Sequence, residues 1–253
     1  MLKKQFPIHY FHAHGVALGG HLTKPLPEIM ESQAATAISP VGGLASASAT
    51  GFSHRGIVRF ERATTQIVCT STGDSYDTTV TCRIEGINIL NQFMADEIVA
   101  HLSVTTPKIP KRGEPPVRFT TVGSRFVNLR VGGVLVTPVL DQECPRRQAG
   151  PYGGDKDHSV YDISLSETES KPLKNLKTLV SSVGVADSCQ LSKGNAIHVP
   201  SFGVVYLAEY LVTPNARQLN MFRIELGCAT EGRIAGSAVG GNGVVCDPPP
   251  PTP

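Results

Sequence analysis

Three histidines near the start of the chain, His9, His12 and His14, are the residues best suited to metal chemistry. Imidazole is a common ligand for zinc, copper, iron and nickel. On a strand, residues two apart share a face, so His12 and His14 can meet one divalent metal while His9 faces the other way. A catalytic zinc centre needs a third protein ligand and an open position. No acidic or thiol side chain stands nearby in sequence, so His54, His101 or His198 would have to supply the third ligand through the fold. The competing expectation is two surface or interface histidines on a terminal strand.

The other reactive residue types point less sharply. The six cysteines, Cys69, Cys82, Cys144, Cys189, Cys228 and Cys246, form no C-x-x-C pair, which excludes a zinc ribbon or a thioredoxin-like motif. Folding TQIVCTSTGDSYDTTVTCRIEG symmetrically about Asp74 to Tyr76 sets Cys69 opposite Cys82 and Ile67 opposite Ile84. A cross-strand disulfide and two small buried thiols facing one core are both consistent with that placement. Asp155 and Asp157 in Gly153–Asp157 are too few acids for a calcium loop, and Lys156 opposes them. Gly240-Gly241-Asn242-Gly243 follows no βαβ pattern and carries no Lys-Ser/Thr, so it predicts a bulge or turn and not a phosphate cradle. There is no G-x-S-x-G elbow. Glu85, Asp96 and Glu97 stand as single charges on strands, the pattern of rim or salt-bridge residues. No catalytic residue and no cofactor is assigned, apart from a divalent metal at His12 and His14.

The elements that must position these groups are strands. Val58 and Phe60 alternate with Arg59 and Glu61, the period of a half-buried strand, and Gly86 interrupts the next strand as a bulge would. MADEIVAHLSV continues as a strand. Two short strands, Phe126 to Val131 and Val134 to Leu140, meet at the hairpin signal Gly132-Gly133. GVVYLAEYLV and LNMFRIEL flank the turn TPNARQ, with Tyr206, Ala208, Tyr210 and Val212 facing Phe222, Ile224 and Leu226 on one side. Leu173, Leu176, Leu179, Val180 and Val183 recur at helical spacing between Ser170 and Gly184, which predicts one short helix. The expected fold is all-β: a jelly-roll-like antiparallel β-sandwich with that helix and long irregular loops. Residues 1–246 form one large domain with an internal boundary near 144–159. CDPPPPTP makes 247–253 a polyproline arm.

Composition limits the partners. Charged residues are 17% of the 253, aromatics 6%, Trp is absent and the formal net charge is +2. That balance supports neither a nucleic acid nor an anionic membrane, and no apolar run approaches the ~20 residues of a spanning helix. The opening Lys3-Lys4 is followed by Pro7 and three histidines, a poor signal-peptide core.

Four blocks in order, ALGGHLTKPLP, IEGINILNQFMADEIVAHL, FVNLRVGG and LNMFRIELGCATEGRIAGSAVGGNG, resemble the bacterial choice-of-anchor P surface proteins. The resemblance implies a β-rich protein of unknown activity, exported and held at the cell surface. The blocks cover under half the chain, and no leader or anchor typical of that family is evident, which leaves a cytosolic location open. Together these readings predict a non-enzymatic, self-assembling extracellular or surface protein. It would be a homo-oligomer paired through sheet edges or terminal strands, with the strand His12–Leu22 and the arm after Cys246 as exchange elements. The alternatives are an adhesin-like module presenting loops 106–118 and 144–159, and a metal-dependent enzyme centred on the N-terminal histidines.

Overall fold

A computed structural model describes residues 8–109, 117–142, 176–185, 195–213, 216–227 and 229–246. Every regular element among them is a β-strand. One sheet contains β1 (Ile8–Lys24), β2 (Glu28–Gln33), β3 (Thr36–Ala37), β12 (Leu176–Thr178), β14 (Ala196–Val199), β15 (Gly203–Thr213), β16 (Ala216–Leu226) and β17 (Glu231–Cys246). The other contains β4 (Gly43–His54), β5 (Val58–Ser71), β6 (Ser75–Ile89), β7 (Phe93–Pro107), β8 (Arg118–Thr120), β9 (Arg125–Val127), β10 (Arg130–Val131), β11 (Val134–Leu140) and β13 (Val180–Val185). All pairings are antiparallel, and β1, β16 and β17 pack on β5, β6 and β7. Between them lie Ile67, Val80, Ile84, Leu102, Leu219 and Val239, at most 2% exposed.

The path of the first sheet is β12-β15-β16-β17-β1-β2, and that of the second β13-β11-β10-β7-β6-β5-β4. Most neighbours are consecutive in sequence; the exceptions on these paths are β12 against β15, β13 against β11, β10 against β7, and β1 against β17, the first and last described strands. A jelly roll distributes successive strands between its sheets, so the expected jelly-roll-like order is not the one formed. Within one copy, β1, the expected exchange strand, is bonded to β17 on one side and to β2 and β3 on the other.

The predicted helix is absent. Thr178 pairs with Glu209 of the first sheet and Val180 with Leu140 of the second, so this segment is a strand that changes sheets. Leu179 is the pivot: its N–H donates to the Ala208 carbonyl, its carbonyl accepts from Asp141 N–H, and its side chain is fully buried. The apolar spacing that suggested a helix arises because each sheet takes its own share of the residues. The β-branched Thr178, Val180 and Val183 suit extended backbone. Ser170 and Leu173 lie outside the described residues.

Both sheets lose their pleat along a line running across the strands. In the first, Ala17, Ser237, Met221 and Ala208 stand side by side and are fully buried, and so are Leu18, Phe222 and Leu207 in the next row. Two successive rows therefore face the core: Ser237 Oγ donates to the Cys82 carbonyl at 3.0 Å, and the Phe222 ring lies 4.8 Å from Phe93. Ser237 and Ala208 reach this geometry with φ of 50° and 48°. Strict alternation, which grouped Tyr206 with Phe222, fails at this line. In the second sheet the line runs through Gly51, Glu61, Gly86 and Asp96, between paired rows on either side. Here two successive rows face outward, with Glu61 and Arg62 both exposed. The expected bulge at Gly86 is one member of this line. Gly86 has φ +64°, and a Cβ there would lie 2.6 Å from Glu61 Cγ.

Candidate functional site

The pleat break in the second sheet opens a solvent-facing groove of about 690 Å³, a size typical of ligand sites. Its floor is the line Gly51, Glu61, Gly86, Asp96, continued by Asn128, whose Nδ2 donates to Asp96 Oδ2 at 2.6 Å. One wall is the paired row Ser53, Arg59, Asn88, Met94 and Arg130, running across β4, β5, β6, β7 and β10. Beyond the floor, and outside the groove lining, the next row carries Arg62, Glu85 and Glu97 in register. Glu97 is held by Arg83 at 2.5 Å and Arg125 at 2.6 Å, and Arg83 also reaches Glu85 at 3.0 Å. Glu85 and Glu97 are thus engaged in the ion pairs expected of them. Arg59 and Arg130 are exposed and, among the described residues, have no carboxylate within ion-pair distance. They stand three strands apart, about 14 Å.

The histidines are placed as their spacing predicted, on one face. His12 and His14 lie on β1 with ring centroids 5.8 Å apart, on the side of the sheet away from the core, opposite Asn242 and Gly240 of β17. A Cβ on Gly240 would lie 2.5 Å from His14 Cε1, so this glycine leaves room for the imidazole to lie over the backbone. The Gly-rich stretch is strand, not turn. Burial lowers the His14 pKa, with the neighbouring His12 adding to the effect. His9 stacks on Tyr76 at 4.1 Å on the opposite face. No group of three potential ligands occurs among the described residues. The proposed third ligands go elsewhere: His54 faces Glu28 at 3.7 Å, His101 Nδ1 bonds to Thr81 Oγ1 at 3.0 Å, and His198 sits exposed on β14. The structure brings together two imidazoles, which is short of a catalytic zinc centre.

Cys69 and Cys82 are free thiols, which corrects the disulfide expectation. The hairpin turns at Gly73-Asp74, where Thr72 N–H donates to the Ser75 carbonyl, so Cys69 pairs with Thr78 and Cys82 with Thr65. Four residues of strand, about 13 Å, separate the two positions along the hairpin, beyond disulfide reach. Both face the core, the other arrangement their spacing allowed. Burial pushes the Cys82 thiol up to about 11. Neither is a nucleophile at neutral pH.

A second charged cluster lies on the outer face of the first sheet, and sequence reasoning missed it. The guanidinium of Arg223 binds Glu209 through two hydrogen bonds of 2.9 Å and Glu225 through one of 2.7 Å, and stacks 3.8 Å from the Tyr206 ring. Glu209 and Arg223 become diagonal neighbours on that face only because the pleat break reverses the alternation between them. Every charge in this cluster is engaged, so it has nothing left to offer a ligand. Loop residues 110–116 and 144–159, including Asp155 and Asp157, lie outside the described residues, as do Cys144, Cys189, Cys228 and the arm 247–253.

Two packed antiparallel sheets carry a polar groove on the outer face of one of them, and no three-ligand cluster occurs among the described residues. Residues 9–178 match the family described as a domain of unknown function, DUF8256, and the chain belongs to that family. No curated protein and no solved structure matches it.

Proposed function

We propose that the protein is a non-enzymatic β-sandwich subunit that assembles with copies of itself by strand addition, outside the cell or at its surface. The observation that carries this is β4. It is 12 residues long and ends its sheet, and no described strand pairs with its outer edge. Edge strands normally carry Lys, Pro or other charge that discourages further pairing. β4 has none from Gly43 to Ser53. Ser46, Ser48 and Thr50 are exposed, while Ala45, Ala47 and Ala49 pack against the core. A second strand could pair over Leu44–Thr50 before the pleat break at Gly51 disturbs the register. Among the described residues β2, β12 and β13 also end their sheets. β2 carries Glu28 and Glu31, and β12 and β13 are short and joined through Leu179. β4 is the longest uncharged edge, which favours directional assembly. The extracellular placement rests on the resemblance of four sequence blocks to exported surface proteins.

The test is light scattering across a concentration series, with negative-stain electron microscopy of the same samples. The wild type is expected to exceed the 26.9 kDa of one chain as concentration rises. Ser46→Lys with Ser48→Lys should hold it at one chain without lowering its melting temperature. A wild type that stays monomeric throughout, or a variant that assembles equally well, rejects the proposal.

A further inference from the structure

We propose that the transverse groove docks an extended acidic segment of another protein chain, which crosses the strands with one carboxylate on Arg59 and another on Arg130. This does not rest on assembly through β4. The two guanidinium groups have no partner among the described residues, unlike Arg83, Arg125 and Arg223 on the same molecule. Arginine's planar fork suits a carboxylate, which it can take through two parallel hydrogen bonds. The arginines stand three strand spacings apart, about 14 Å. Residues i and i+4 of an extended peptide point to the same side and stand about 13–14 Å apart. The wall row is thus spaced for a segment with acids at its first and fifth positions.

The residues between the arginines decide what the middle of the segment can be. Asn88 is bonded to Asn91 at 2.8 Å, and Met94 presents a thioether side chain, so this stretch suits an apolar or uncharged third residue. Glu61 lies over Gly86 on the floor, and the Asp96 carboxylate beside it accepts from Asn128. A polyanion with a charge every few ångströms, such as a nucleic acid, would set phosphates against these carboxylates, and like charges in close approach are costly. The groove therefore selects for separated negative charges over dense ones. It has Phe52 at one end but no row of exposed aromatics on which bases could stack.

The experiment uses the full chain and the blocked peptide Glu-Thr-Leu-Thr-Glu, with fluorescence anisotropy for affinity and amide shifts for location. Saturable binding is expected, with shifts confined to the groove rows. Arg59→Gln and Arg130→Gln should each weaken it by about fivefold, and the pair together by about twentyfold, the scale of exposed ion pairs. Arg59→Lys with Arg130→Lys, which keeps the charge but removes the fork, should fall between. Lys24→Ala, far from the groove, should have no effect. A peptide with its two Glu adjacent should bind no better than its Gln-substituted form. No saturable binding, equal loss with Lys24→Ala, or equal binding of the adjacent-Glu peptide overturns the proposal. So does a sulfated oligosaccharide or single-stranded DNA that binds the two arginines more tightly than the peptide.

Discussion

Replacing Glu209 tests whether the pleat break on the first sheet is built as described. Its carboxylate takes two hydrogen bonds of 2.9 Å from Arg223, with the two side chains only 6% and 14% exposed. Removing one partner of a buried ion pair costs about 3–5 kcal/mol when the other charge is left alone. Arg223 would not be wholly alone, because Glu225 remains at 2.7 Å and the Tyr206 ring at 3.8 Å. The expected loss for Glu209→Ala is therefore about 2–3 kcal/mol. For a chain of this length that lowers the melting temperature by about 4–12 °C. Glu209→Met with Arg223→Met should recover most of the loss, since apolar side chains of similar volume can replace a buried pair at little net cost. Thermal and urea unfolding of wild type, Glu209→Met, Arg223→Met and the double variant give the coupling energy directly. If Glu209→Ala melts within 1 °C of wild type, or the double variant loses the sum of the two singles, the two residues are not diagonal partners. The reversal of alternation between them would then be wrong as well.

Three further outcomes follow from the site geometry. The Cys82 thiol titrates near 9 when exposed and near 11 when buried, so the unfolded chain loses its proton first. Stability attributable to Cys82 is full below pH 9 and declines by about 2–3 kcal/mol as pH rises to 11. Urea midpoints of wild type and Cys82→Ala over that range should differ by this slope, and parallel curves would refute it. The His14 pKa is depressed, so its contribution to stability is present above the ordinary value of 6.5 and fades as pH falls below it. NMR titration should give His14 a midpoint below 6.5 that rises in His12→Ala; a midpoint unmoved by that substitution separates the two rings. A Cβ on Gly15 would lie 2.5 Å from Thr65 Cγ2 in the facing sheet, so Gly15→Ala should cost about 1–3 kcal/mol. Thr65→Ser removes that methyl and should restore part of the melting temperature. No rescue would mean the sheets can shift apart at this point.

What was legible in the sequence was whatever repeats along one strand. Val58 and Phe60 point inward and Arg59 outward, as their alternation predicts. Gly132 and Gly133 form the expected two-residue hairpin with φ of 61° and 80°. His12 and His14 share a face because period two requires it. What was hidden depends on neighbouring strands. The register of β5 on β6 was ambiguous because both arms are rich in Thr and Val, so a two-position shift of the turn leaves the pattern looking equally good. The segment 176–185 mimics a helix because its apolar residues are spread over two strands of different sheets, with Leu179 between them. The pleat break in the first sheet uses Ser237 and Ala208 at positive φ, where no glycine marks the position. In the second sheet, Gly51 and Gly86 do mark it, but only pairing across β4, β5, β6 and β7 aligns them into a groove.

The two pleat breaks explain how a fold with so few charges concentrates them. In a regular strand each outward residue is followed by an inward one, so two adjacent charges cannot both reach solvent without a fault in the pleat. The second sheet places that fault in the outward direction, which lets Glu61 and Arg62 on one strand, and Asp96 and Glu97 on another, emerge side by side. The first sheet places it in the inward direction, which doubles the apolar rows at Leu207 and Ala208 and at Met221 and Phe222. It also draws Arg223 and Glu209 together. There the charges find one another and close; along one wall of the groove, Arg59 and Arg130 have no carboxylate within ion-pair distance among the described residues. Glu85 and Glu97 are held by their own arginines while Arg59 and Arg130 are left at a fixed separation, and the proposed docking rests on that spacing. A side chain at Gly86 would collide with Glu61 and disturb that floor, whereas lysines at Ser46 and Ser48 act only on the β4 edge. As proposed, docking and assembly thus fall to different residues of the same sheet.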